Sequence, residues 1–199
     1  MPLILASASP RRVDLLHQIG YPPDRVVPAI IDETPRAREL PRDVALRLAR
    51  AKAEAVRQSC PGAYVIAADT VVARGRRVLP KPIDAEQARR CLMLLSGARH
   101  RVYGGLAVAA PDGRLTGRVI VTQVAFKQLT DDEVRRYLAT GEWQDKAGGY
   151  AIQGRAAAFV RQLIGSYSNV VGLPLFETVQ LLNGLGYRPV DGEGDADGN

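Results

Sequence analysis

The run AYVIAAD at residues 63–69 constrains this chain more than any other stretch. It is apolar at consecutive rather than alternate positions, the pattern of a central strand buried on both faces by flanking helices. An aspartate closes the run, so the reading places Asp69 at the C-terminal end of that strand, where ligands collect in α/β sheets. The rest of the chain supplies the elements such a sheet needs. PLIL predicts a first strand, and RRVDLLHQIG a helix behind it with Val13, Leu16 and Ile19 at helical spacing. PRDVALRLARAKAEAVRQS predicts a long helix, and VVARGRRVL a hairpin about Arg74 and Gly75. HRVYGGLAVAA and RLTGRVIVTQVAF flank PDGR as a longer antiparallel hairpin. Capping-box spacings from Asp84 to Gln87 and from Thr130 to Glu133 open two more helices. AAAFVRQLIG is expected as a strand, SYSNVVGLP as a turn region and LFETVQLLNGLG as the last helix.

These elements fit 199 residues with 46% apolar content as one α/β domain of ordinary size, or two small lobes, with a real core, which excludes a disordered protein. The apolar runs are too short to span a bilayer, and no basic region precedes a long apolar segment at the N-terminus; a soluble cytoplasmic protein is expected. Cys60 and Cys91 have no CxxC partner, which suits a reducing compartment and argues against a zinc site. The last nine residues, DGEGDADGN, are read as a disordered acidic tail, residues 191–199, after a domain of residues 1–190. Setting aside the tail's four acids raises the net charge from +6 to +10 on residues 1–190. That excess favours anionic partners, but the scarcity of aromatics and the lack of zinc-finger spacing tell against nucleic acid.

LASASPRR, residues 5–12, follows the first strand. Ser9 before Pro10 reads as a helix N-cap with proline at the first helical position, which puts Arg11 and Arg12 in the first turn. Cations are misplaced there beside the positive end of the helix, unless an anion meets them. In the long helix the apolar stripe Ala45, Leu48, Ala49, Lys52, Ala55 and Val56 includes a lysine. Lys52 either snorkels to the stripe's edge or enters a cleft with a negative partner. Lys81 stands between two prolines, and EWQDKAGGYAIQG carries a glycine pair that lets backbone approach a ligand. His17 reads as a helix-surface residue, while His100 either touches a ligand or caps a turn. No GxxxxGK[ST], HExxH or GxSxG is present. Arg11, Arg12, Lys52, Lys81 and Lys146 are suited to a polyphosphate, and Glu33 and Asp69 to a hard divalent metal.

LASASPRR, DE at 32–33, AADTVV, KP at 81–82, LSGARHRV, DKAGGYAIQG and GSYSNVVGLPL resemble, in order, the motif series of the Maf family of nucleoside triphosphate pyrophosphatases. The resemblance implies an elongated mixed sheet flanked by helices around a deep central cleft, similar to the inosine triphosphate pyrophosphatases. It implies hydrolysis of a nucleoside triphosphate to monophosphate and pyrophosphate with Mg²⁺, Mn²⁺ or Co²⁺, and a homodimer. By motif, Asp69 is the general base, Glu33 and Asp69 hold the metal, and Lys52 and Lys81 join the catalytic set. Ser7, Ser9, Arg12, Lys52, Lys81 and Lys146 bind phosphate, and Arg11, Thr70 and Gln153 match the positions that go with the base. Those three residues resemble the branch acting on dTTP and UTP. The alternatives are a 7-methyl-GTP pyrophosphatase of the same family and a nucleotide-binding or nucleic-acid-binding module without turnover. Gly104 stands where the family usually shows threonine, and Pro80 where glycine is usual.

Overall fold

The computed structural model describes residues 1–189, so the acidic tail read as disordered lies outside the described residues. The strands are β1 (Leu3–Leu5), β2 (Arg25–Val26), β3 (Tyr64–Arg74), β4 (Arg77–Leu79), β5 (Arg99–Ala109), β6 (Leu115–Phe126) and β7 (Val160–Ile164). The helices are α1 (Pro10–Gln18), α2 (Pro41–Ser59), α3 (Ala85–Leu95), α4 (Asp131–Leu138), α5 (Tyr167–Val171) and α6 (Leu175–Gly184). They build one seven-stranded mixed sheet in the order β2-β1-β3-β5-β6-β7, with β4 paired to β3 off that path.

Strand alternation sends side chains of the long β3 to two different layers. Val65 and Ala67 pack with Ala49, Ala53 and Val56 of α2, and Val71 packs with Val44, Ala45 and Leu48. On the opposite face, Ile66 and Ala68 join Leu15 and Leu16 of α1 and Leu181 and Leu182 of α6. Val72 belongs to a second core on that face, with Leu92 and Leu95 of α3, Tyr137 of α4 and Phe126 of β6. Helix α2 lies close on the sheet because position 105 has no side chain. A Cβ on Gly105 would sit 1.9 Å from the Ala45 carbonyl oxygen.

The sheet also departs from the expected layout. β3 does not end at Asp69; it continues to Arg74, and Asp69 lies mid-strand opposite Gly105. What ends is its neighbour. β1 pairs with β3 at Tyr64–Ile66 and β4 pairs along the same edge at Val72–Arg74, so residues 67–71 have no strand beside them on that edge. Residues 155–164 divide into a 3₁₀ turn, Arg155–Phe159, and only then the strand β7. The expected turn at 166–174 contains the short helix α5, whose first N–H groups are met by the Ser166 hydroxyl accepting from Asn169 N–H. Ala53, not Ala55, completes the buried stripe of α2. The Thr130–Glu133 capping box is complete. At the start of α3, Asp84 caps Gln87 N–H, but the Gln87 side chain accepts from Ile83 N–H instead of returning to the cap.

Candidate active site

The gap along β3 opens into a cavity of about 610 Å³ lined by residues of the β1–α1 loop, Glu33, Lys52, Thr70, Lys81, Lys146 and Tyr150. Both faces of β3 feed it: Asp69 points toward α2 and Thr70 toward α1 and α5. The strand therefore brings a carboxylate and a hydroxyl to one crevice from opposite sides.

On the α2 side Lys52 enters the cleft rather than snorkelling away from it. The lysine is buried, and its Nζ lies 2.6 Å from Asp69 Oδ1 and 2.6 Å from Glu33 Oε1. Glu33 also faces Lys81, with Nζ 3.8 Å from its Oε2. Partial burial disfavours ionised Glu33, but Lys52, then Lys81 and Arg12, outweigh it and hold the carboxyl below the usual range. Glu33 and Asp69 thus bring one oxygen each to a common point. Among the described residues no cluster of three or more His, Cys, Asp or Glu side chains forms. A pair of carboxylates fits a hard divalent cation whose other positions are filled by substrate phosphates and water.

Across β3, Arg12 is buried and held by neutral oxygens. Its Nε donates to the Gly172 carbonyl at 2.8 Å, Nη1 to Ser7 Oγ at 3.0 Å and Nη2 to Thr70 Oγ1 at 3.3 Å. Burial lowers the Arg12 pKa, Asp69 and Glu33 oppose that, and neighbouring Arg11 adds to it. Ser9 sits at the N-cap with extended backbone, but its hydroxyl makes no capping bond; its N–H donates to Ser7 Oγ at 3.1 Å. Arg11 and Lys146 line the same cavity, with pKa values lowered first by burial; Asp145 opposes both shifts. Lys146 Nζ donates to the Gln144 carbonyl at 2.8 Å. The Pro80 carbonyl accepts from Gly148 N–H at 2.9 Å, which ties the segment carrying Lys81 to the glycine pair.

Ten of the eleven residues singled out in the sequence meet at this cavity: nine line it, and Asp69 reaches it through Lys52. Gln153 is exposed and is not among the lining residues. His100 neither contacts the cavity nor caps a turn. It is buried in the α3–α4 core with Nε2 2.8 Å from the Tyr150 hydroxyl. Three contributors had not been singled out: the Gly172 carbonyl, Tyr150, and Asp145, a non-glycine residue at φ 56° on the cavity wall. The motifs holding them were visible, but nothing in them marks a carbonyl or a strained backbone as part of a site.

A family model described as Maf-like protein matches residues 2–185. The chain belongs to the Maf family. A dTTP/UTP pyrophosphatase of Rhodospirillum rubrum is 67% identical to this Maf protein over 188 residues, covering 94% of this chain and 90% of that one. Proteins of the same description from Paramagnetospirillum magneticum and Caulobacter vibrioides are 61% and 58% identical, each over 94% of this chain and 98% and 97% of theirs. A solved dITP/XTP pyrophosphatase of Mycobacterium abscessus aligns with a TM-score of 0.42 at 18% identity, over 65% of this chain and 76% of that one, which is too distant to bear on fold or function.

Proposed function

We propose that this Maf protein hydrolyses dTTP and UTP to the nucleoside monophosphate and pyrophosphate. The observation that carries the proposal is the pairing, across one free strand edge, of a carboxylate–lysine cluster with an arginine cradle. The names of its relatives, at 58–67% identity, support the choice of substrates.

A triphosphate brings several negative charges, and attack by water adds more as the transition state forms, so catalysis needs neutralisation and positioning. Arg12 arrives pre-oriented: three of its N–H groups are anchored by the chain, which lowers the entropy lost when phosphate binds. Lys52, Lys81 and Lys146 add further cations around the cavity, and the Ser7 and Ser9 segment offers hydroxyl and backbone donors. Glu33 and Asp69 would hold a divalent cation, Mg²⁺, Mn²⁺ or Co²⁺, which when bound supplies further charge neutralisation at the phosphate oxygens. Asp69, held by Lys52, accepts the proton of the attacking water. Arg11 and Thr70 would face the base, and Gln153, which does not line the cavity, would reach it only by turning inward. The setting is the cytoplasm and the acting form a homodimer. Buried free Cys60 and Cys91 suit that compartment, and no helix of the described residues is long and apolar enough to cross a membrane.

A panel of dTTP, UTP, CTP, GTP and 7-methyl-GTP, each with Mg²⁺, Mn²⁺ and Co²⁺, tests the proposal by pyrophosphate release. The expected result is highest kcat/KM for dTTP and UTP and loss of turnover on chelation. Asp69→Asn keeps the shape but removes the basic oxygen, and kcat should fall about 10²-fold or more with folding retained. Turnover near wild type in that variant would remove Asp69 from the chemistry, and faster turnover of 7-methyl-GTP would move the protein to the other branch.

A further inference from the structure

The positive charge of this protein is not spread evenly. Some surface arginines sit on carboxylates: Arg47 on Glu39, Arg57 on Glu54, Arg89 on Asp131 and Arg114 on Asp112. Others have no such partner, and six of those gather at the end of the β3–β4 hairpin. Arg74 and Arg77 are cross-strand partners there, and Arg76 lies in the turn between them. On the adjoining strand β5, Arg101 pairs with Ala73, and Arg99 lies two residues before it. Arg90 of α3 completes the group: the Cys91 thiol is pushed up by burial, and Arg77 and Arg90 oppose that shift. All six are exposed, and among the described residues none has an ion-pair partner. Only Arg74 is tied by its side chain, donating from Nη1 to the Leu94 carbonyl at 2.8 Å.

The group lies apart from the cavity. Lys81 precedes the first turn of α3, whereas Arg74 is anchored at its last turn, and the 11-residue helix is about 16 Å long at the usual rise per residue. The cluster contains arginine and no lysine, and the planar guanidinium fork suits phosphate oxygens two at a time. Three of the six are on the β3–β4 hairpin and three on the adjoining β5 and α3, so the cations line one end of the sheet, where they can follow a phosphate backbone. None of the exposed large apolar side chains belongs to this hairpin, so a membrane would find charge there without an apolar anchor. The scarcity of aromatics, which tells against nucleic acid in the sequence, bears on single strands, where bases stack on rings. Duplex backbone binding needs only correctly placed cations.

We infer that the end of the β3–β4 hairpin, with Arg90, Arg99 and Arg101 beside it, is a docking surface for the phosphate backbone of duplex nucleic acid, separate from the catalytic cavity. Binding there holds the enzyme on a polyanion without closing its active site.

Fluorescence anisotropy of a short labelled duplex with the full chain, from about 25 to about 200 mM NaCl, is the test. The expected result is measurable binding at low salt that weakens with a log–log slope of about −3 or steeper, since each phosphate contact contributes about −0.9. The combined variant Arg76→Glu, Arg77→Glu, Arg101→Glu should weaken binding about tenfold or more while kcat/KM for dTTP stays within about twofold. Arg74 is left in place because it holds α3. If the reversed charges prevent folding, the same positions changed to Gln should still reduce both affinity and slope. Lys81→Ala, which alters the cavity, should leave duplex binding unchanged. The inference is overturned by absence of binding at the lowest salt, by loss of binding in Lys81→Ala but not in the arginine variant, or by tighter binding to phosphatidylserine vesicles than to the duplex.

Discussion

Lys52 is a buried ammonium on an otherwise apolar helix face, and such a group is tolerated only when its charge is met. Two carboxylates meet it, and together they turn a packing anomaly into the centre of the site. Arg12 shows the opposite solution: neutral oxygens fix its direction and leave its charge for a ligand. Thr70 belongs to that fixing, so a residue read as selecting the base also orients the guanidinium proposed to bind phosphate. Under the proposed function, base choice then falls on Arg11 and Gln153. A thymine or uracil ring offers two carbonyl acceptors around an N3–H donor, and a glutamine amide can both donate and accept, whereas ionised glutamate only accepts. In the proposed complex Gln153 turns inward onto the base, and Gln153→Glu would leave one base carbonyl unpaired, at a cost of about 1–3 kcal/mol. The expected loss is roughly ten- to a hundredfold in kcat/KM for dTTP, compared side by side with GTP. An unchanged dTTP rate and ranking would confine base selection to Arg11 and its neighbours.

At the scale of elements, α5 is a strut between the sheet and Arg12. Asn169 is fully buried, and its Nδ2 donates to Thr122 Oγ1 at 3.0 Å, with longer contacts to the Val102 and Ile120 carbonyls at 3.3 and 3.4 Å. Its Oδ1 fills the notch left by Gly104, where a Cβ would lie 1.8 Å away. At the other end of the same helix, the Gly172 carbonyl takes the Arg12 Nε–H. Asn169→Ala should therefore cost about 1–3 kcal/mol of stability and also raise KM for dTTP several-fold, because the Arg12 anchor shifts with the helix. A lower melting temperature with KM unchanged would make Asn169 a purely structural residue. None of this strut is legible in SYSNVVGLP, because a five-residue helix is too short to show a period. The long elements were legible for the converse reason: α2, β5 and β6 repeat their pattern often enough to fix type and face. Asp69 was the instructive miss. Its own sequence correctly marks a buried strand, but the crevice beside it comes from the shortness of β1 and the distance to β4, which no local pattern encodes.

The whole molecule opens its cavity at the gap in the sheet, where two cores meet on one face, one built on α1 and α6 and the other on α3 and α4, and Lys52 of α2 enters from the other face. Tyr150 spans the boundary, with its side chain in the second core and part of it on the cavity wall. Its hydroxyl is the hydrogen-bond partner of His100, whose other ring nitrogen, Nδ1, is buried without a partner. A second ring proton would have no acceptor, and burial lowers the His100 pKa from 6.5 to about 4. The sign follows directly. Above pH 6.5 the ring is neutral whether the chain is folded or unfolded, so it adds no pH dependence. Between 6.5 and about 4 the unfolded chain takes up a proton that the folded chain refuses, so stability falls as pH falls and this contribution levels off below about 4. A difference of this size corresponds to about 3 kcal/mol, a large share of the stability of an ordinary domain. Urea unfolding of the wild type at steps from about pH 7.5 to about pH 4 should show that decline, and His100→Gln, which cannot titrate, should flatten it. The same slope in both proteins would remove His100 as its source; Glu39, whose pKa the Arg47 side-chain hydrogen bond lowers to about 2 against opposing desolvation, gives up its contribution only as pH falls from about 4.5 toward 2.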